Sequence, residues 1–166
     1  MASFALALTY VLRHEGGWSD DPDDPGGATM HGITLETAQR HGITTKAALR
    51  AITPEQEAAI YREDYWRFDG IESQRVATKL FDMAVNMGPR TAVKLLQRGL
   101  EIQADGVFGP KTEFEVNHRL PDVVLEILVE ESRRHYLDVC IARPKSKKYL
   151  DGWMARANEV PQREKA

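Results

Sequence analysis

Apolar positions recur along most of this chain at helical spacing. Phe4, Leu8, Val11 and Leu12 fall at i, i+4, i+7 and i+8, one stripe of an amphipathic helix. Gly16-Gly17 is expected to stop it, because glycine accepts the left-handed cap that other residues resist. Residues 18–33 lose the pattern and gain Asp, Pro and Gly, which predicts turns and a small hairpin or irregular segment. Thr34 can cap a short helix that ends near His41-Gly42. Thr53-Pro54-Glu55-Gln56 spells a capping box with proline at the first helical position, opening a helix through Ala58, Tyr61 and Tyr65. Val76, Leu80, Met83, Ala84 and Met87 form the cleanest stripe, closed by Gly88-Pro89. Further helices are expected through Val93, Leu96 and Leu100, from Pro110, over residues 121–142, and through Leu150, Trp153, Met154, Ala157 and Val160.

The resulting expectation is an all-α fold, α+β at most, with a small hairpin near residues 18–33. With 166 residues, such a chain can close one core without disulfide or metal. Gly88-Pro89 is the best seam, dividing residues 1–90 from 91–166, but the helices flank it closely enough that both parts should pack as one body. The net charge of −3 argues against nucleic acid as partner. No apolar run approaches the ~20 residues of a membrane span, so no membrane insertion is expected. Cys140 is the single cysteine, which excludes an intramolecular disulfide and a cysteine-cluster metal site. The opening residues lack a basic stretch and a continuous apolar run, so the chain is expected to be made in the cytoplasm without a signal peptide.

The candidate chemistry begins at Glu15, which the first helix's register places at its C-terminal end. The negative end of the helix dipole and partial burial would both favour a protonated carboxyl, as a general acid requires. The two glycines beside it leave room for a bulky substrate against the backbone. The alternative is an exposed last-turn residue followed by a plain glycine cap. Asp20, Asp21, Asp23 and Asp24 follow within five positions. An EF-hand frame starting at Asp21 fails, since Pro25 would hold its fifth position and Gly32 its twelfth, where a bidentate Glu is required. Solvated turn carboxylates are one reading of this loop. A glycosidase pair, Glu15 as acid and a loop carboxylate opposite it, is another.

The blocks H-E-G-G-W (14–18), D-P-D-D-P-G-G-A-T (21–29) and G-I-T (32–34) resemble the opening of glycoside hydrolase family 108, peptidoglycan-cleaving muramidases of phage and bacteria. Y-R-E-D-Y-W (61–66) and F-D-M-A-V-N-M-G-P (81–89) are similar to later blocks of that family. L-L-Q-R-G-L with A-D-G-V-F-G-P-K-T (within 95–112) is similar to its companion peptidoglycan-binding segment, and G-W-M-A-R (152–156) also fits. The resemblance spans nearly the whole chain in order. It implies a lysozyme-like, two-lobed helical fold, a catalytic segment at 1–90 and a peptidoglycan-binding-type segment at 91–166. It also implies Glu15 as the acid. Phage lysozymes place eight residues between Glu and Asp and five between Asp and Thr. Here eight separate Glu15 from Asp24 and four separate Asp24 from Thr29, which puts Asp24 and Thr29 in the catalytic set with a one-residue departure at Thr29. Met30-His31 stands where many members have Asn-Phe.

Sugar-binding candidates follow from side-chain chemistry. Asp82 and Asn86 are one helical turn apart beside an apolar stripe, and an amide suits N-acetyl and hydroxyl groups. Trp18 and Tyr65 could stack on sugar rings, whereas Trp66 and Tyr61 read better as core. Asp105 to Thr112 reads as turn and helix cap. Arg143, Lys145, Lys147 and Lys148 form a basic run that reads as a solvated loop. The expectation is therefore a lysozyme, cutting the β-1,4 bond between N-acetylmuramic acid and N-acetylglucosamine, monomeric and without cofactor or metal. Bacterial peptidoglycan is its partner, and a holin or secretion system delivers it to the wall. A phage endolysin is the first context, and a bacterial secretion-associated muramidase the second. A non-catalytic peptidoglycan-binding module is the rival class.

Overall fold

The computed structural model describes residues 1–20 and 27–162. Among these, the chain forms α1 (Phe4–Val11), β1 (Trp18–Ser19), β2 (Thr29–Met30), β3 (Ile33–Thr34), α2 (Leu35–Arg40), α3 (Lys46–Arg50) and α4 (Pro54–Ile60). A π-helical turn, Tyr61–Tyr65, extends α4. Then come α5 (Gln74–Met87), α6 (Pro89–Gly99), α7 (Pro110–Asn117), α8 (Pro121–Ala142), a 3-10 turn at Pro144–Tyr149, and α9 (Leu150–Asn158). The mostly helical class expected from the pattern, and the lysozyme-like fold that the resemblance implies, are the ones observed.

Helix α5 is the axis of the molecule. It packs against α1, α6 and α8. Val76, Ala77, Leu80, Phe81, Met83 and Ala84 are all buried. Each large apolar side chain so buried contributes roughly 1.5–3 kcal/mol, which makes α5 the main source of cohesion. One core cluster joins Val11, Ile33 and Leu49 to Leu96, Val124 and Leu128, drawing on both sides of Gly88-Pro89. Gly88 takes φ 89°, a conformation that lets α5 turn directly into α6 with Pro89 at its first position. Helix α8 buries Val124, Leu128, Ser132, Tyr136 and Cys140, one face at four-residue spacing.

The helix starts follow their local chemistry. Thr34 accepts from the Thr37 backbone N–H at 3.1 Å, and Thr53 and Gln56 make both halves of the capping box. The end of α1 differs from expectation. It stops at Val11, four residues short of Glu15, and neither Gly16 nor Gly17 has a positive φ. The chain leaves through tighter turns, with the Arg13 N–H donating to the Tyr10 carbonyl at 3.2 Å and the His14 N–H to that of Val11 at 2.9 Å. The side chains of His14 and Glu15 take partners from α9 and the residue after it, 141 and more positions away, rather than from their own helix.

The segment around residues 18–34 is a three-stranded antiparallel sheet in the order β1-β2-β3. Met30 pairs with Ile33, so β2 and β3 are joined by a two-residue turn, His31-Gly32. Both have positive φ, 48° and 78°, the backbone of a primed hairpin turn.

Candidate active site

Glu15 lies between the end of α1 and β1. Its side chain is only 10% exposed. Arg156 of α9 donates from Nη2 to Glu15 Oε1 at 2.7 Å. The same guanidinium donates to Asp82 Oδ1 on α5, from Nη2 at 2.9 Å and Nε at 3.0 Å. Burial by itself would lower the affinity of Arg156 for its proton, but Asp82 and Glu15 outweigh burial and raise its pKa above the usual value. One cation therefore fixes two carboxylates contributed by distant parts of the chain.

Arg156 is itself held from below. Lys79, one turn before Asp82 and 1% exposed, donates Nζ to the carbonyls of Arg156 at 2.8 Å and Glu159 at 2.6 Å. Those carbonyls end α9, where a cation both satisfies acceptors and meets the negative end of the helix dipole. Burial lowers the Lys79 pKa, with Asp82 opposing it. His14 adds a second tether, its Nε2 lying 2.8 Å from Glu159 Oε2.

The hairpin turn closes another side of the acid. A Cβ on Gly32 would overlap Glu15 Oε2. Glycine is thus required there twice, by its φ of 78° and by the approach of the carboxyl. His31 keeps its positive φ because its neighbours hold it. Its Nδ1 lies 2.6 Å from Glu57 Oε1, and its carbonyl accepts from the Tyr61 hydroxyl. Burial raises the Tyr61 pKa, with Glu15 and Glu57 adding to the effect. On the other side, a Cβ on Gly16 or Gly17 would meet none of the described residues within 4 Å. Among the described residues, Glu15 is enclosed around Gly32 and Arg156 and open along its own backbone.

The other expected site residues occupy different places. Asp82 joins Glu15 through Arg156. Tyr65 closes the π-helical turn with its ring 5.7 Å from that of Tyr61, and burial raises its pKa. Asn86 lies one turn beyond Asp82 and accepts from the Tyr136 hydroxyl at 2.6 Å. Trp18 sits in β1 under the Arg50 guanidinium, 5.7 Å from the ring centre. Thr29 sits in β2, paired with Ser19 and Thr34. Asp24 lies outside the described residues. The Asp105–Thr112 motif is a turn organised by Gln97, whose amide nitrogen donates to Asp105 at 2.8 Å, the Val107 carbonyl at 3.0 Å and Thr112 at 3.0 Å. Trp66 and Tyr61 are core residues at 2% and 0% exposure.

Sequence reasoning gives no role to Arg156 or Gly32, although both lie in motifs it singles out. Arg156 has a usable signal, a lone cation on the last amphipathic helix with a carboxylate flanking the apolar stripe of α5. Among the described residues, no three His, Cys, Asp or Glu side chains group to hold a metal ion, and no helix is long and apolar enough to cross a membrane.

Two known families match successive segments of the chain. The family described as Glycosyl hydrolase 108 matches residues 8–88, and the one described as Predicted Peptidoglycan domain matches residues 86–158. The solved structure of Brucella abortus SagA superposes with a TM-score of 0.74 at 34% identity, over 93% of this chain and 92% of that one. The chain belongs to glycoside hydrolase family 108. No curated protein matches it. The family 108 chain is accordingly a glycoside hydrolase with a peptidoglycan-binding segment, and its work lies at the cell wall.

Proposed function

We propose that this family 108 chain is a lysozyme, an N-acetylmuramidase that hydrolyses the β-1,4 bond between N-acetylmuramic acid and N-acetylglucosamine. Residues 1–90 form its catalytic segment, and residues 91–166 a peptidoglycan-binding-type segment packed against it. Glu15 donates the proton to the leaving glycosidic oxygen. Arg156 holds the carboxyl in position. Asp24 orients water or stabilises the oxocarbenium-like state, and Thr29 helps hold that water. Trp18, Tyr65, Asp82 and Asn86 complete the substrate-binding set, Asp82 by fixing Arg156.

The observation that carries this reading is the setting of Glu15, 10% exposed, paired to Arg156 and open to a ligand along Gly16-Gly17. The deciding experiment is mass spectrometry of the muropeptides released from purified walls. Fragments ending in reducing N-acetylmuramic acid are expected. Fragments ending in reducing N-acetylglucosamine would assign a different bond, and walls bound without release of reducing ends would leave a non-catalytic binding module.

Two cellular settings fit such an enzyme, a phage endolysin reaching the wall through a holin and a bacterial muramidase tied to secretion. The likeness to a protein of Brucella abortus favours the second. Deleting the gene from its genome separates them. Loss of host lysis marks an endolysin, whereas an intact cell with impaired export marks a secretion partner.

A further inference from the structure

A cleft of about 400 Å³ opens beside the carboxylate network. Its walls include His14, Asn86, Gly152, Trp153, Arg156 and Glu159. We propose that this cleft is a binding subsite for an N-acetylhexosamine unit of the glycan strand that Glu15 cleaves. The assignment rests on the muramidase reading and extends it to a place where the strand is gripped.

The first support is chemical. A sugar of this kind presents C–H faces together with carbonyl and hydroxyl acceptors. The cleft answers with an aromatic wall and donors. Trp153 stacks on Tyr136 with ring centres 5.2 Å apart, and the Tyr149 ring centre lies 5.7 Å from that of Trp153. The Asn86 oxygen accepts from the Tyr136 hydroxyl, and its amide nitrogen carries two N–H donors. Arg156 donates Nη2 and Nε to the carboxylates, and its Nη1 carries two further N–H donors.

The second support is rigidity. Asn86, Trp153 and Arg156 are each already locked by a partner inside the protein, so binding orders little that is not ordered already. The third is continuity. Arg156 is at once a wall of this cleft and the partner of Glu15, and His14 is the residue before Glu15. Gly152, Trp153 and Arg156 fall within the segment matched as a peptidoglycan domain, His14 falls within the glycosyl hydrolase segment, and Asn86 lies where the two matches overlap. The cleft lies where the two meet. The fourth is Gly152. It sits in the first turn of α9, and a Cβ added there would meet none of the described residues within 4 Å. Protein packing does not need the missing side chain, whose absence leaves the cleft open.

Gly152 also supplies the test, because substitution there leaves every contact of the network intact and favours the helix. In the full chain carrying Glu15→Gln to prevent digestion, binding to insoluble walls is measured by cosedimentation. Gly152→Leu is expected to weaken binding at least ~10-fold while Gly152→Ala binds as the parent does, since only the longer side chain fills the space. Neither is expected to lower Tm. In the chain that keeps Glu15, Gly152→Leu raises KM and leaves kcat close to the parent. A soluble tetramer of N-acetylglucosamine competes with walls for the Gly152 and Gly152→Ala proteins. Equal binding by the Leu and Ala variants overturns the proposal, as does competition by free stem peptide in place of the sugar tetramer. Failure of the muramidase reading is a separate result, the absence of reducing ends from walls treated with the unaltered chain.

Discussion

Two polar hubs hold this molecule together, and they differ in ways that separate structure from function. Gln97 is 2% exposed and neutral. Every partner of its amide lies within 15 positions of it, the Gly106 N–H at 2.8 Å included. That hub pins one turn to the helix it follows. Arg156 is charged, borders open clefts, and reaches 74 positions to Asp82 and 141 to Glu15. A closed neutral hub satisfies buried groups and ends there. An open charged hub holds two carboxylates beside a cleft, the kind of setting in which charged groups serve binding or chemistry.

Breaking the Arg156 hub is expected to have the larger effect. Arg156→Met leaves Asp82 and Glu15, with side chains 3% and 10% exposed, without their cation. Removing one partner of a buried pair costs about 3–5 kcal/mol. At roughly 2–4 °C per kcal/mol for a chain of this size, a melt should fall by about 10 °C. Wall lysis, measured well below that melt, should fall by more than the ~10²-fold linked to a misplaced acid. An unchanged melt would mean that the carboxylates do not depend on Arg156.

Breaking the Gln97 hub should affect stability alone. Gln97→Leu strands the Gly106 N–H, the Val107 carbonyl and the Thr112 hydroxyl, for a loss of about 1–3 kcal/mol. Lysis per folded molecule should stay within about twofold of the parent, because no hydrogen-bond partner of Gln97 also holds Glu15 or Arg156. A large loss of lysis without a loss of stability would make the Asp105–Thr112 turn a contact for the wall.

The smallest effect concerns the edge of the Arg156 hub. The hydrogen bond from His14 holds the Glu159 pKa below its ordinary 4.5. A carboxylate depressed in the folded state adds stability above its unfolded pKa and loses it as pH falls through the folded one. Glu159→Gln should therefore melt slightly below the parent at neutral pH, with the difference shrinking as pH drops below 4.5 and vanishing once pH has fallen through the lower folded-state pKa. Because the side chain is 51% exposed, solvent screening keeps the difference small. A gap that widened on acidification would have the wrong sign.

Local chemistry is readable in the chain wherever it is sufficient. Thr34, Thr53-Pro54, Pro110 and Pro121 announce helix starts that form as spelled, because a cap or a proline at the first position acts within one turn. The stripe of α5 announces the core for the same reason. The end of α1 is not legible because Gly16-Gly17 looks like a stop, while the actual exit depends on His14 and Glu15 meeting the far end of the chain. The π-helical turn at Tyr61–Tyr65 has no local signature, and the Tyr61 hydroxyl that reaches His31 from it is a tertiary contact. Arg156 and Gly32 are hidden for a related reason. The value of each lies in its distance to Glu15, which periodicity does not encode.

The central claim, that Glu15 delivers the proton, is tested most directly by Glu15→Gln assayed for release of reducing ends from purified walls. The amide preserves size and a hydrogen bond to Arg156 but has no proton to transfer at neutral pH. Release should fall at least ~10²-fold, with a cooperative melt and wall binding retained. A Glu15→Gln enzyme that releases reducing ends within a few-fold of the parent would contradict the account.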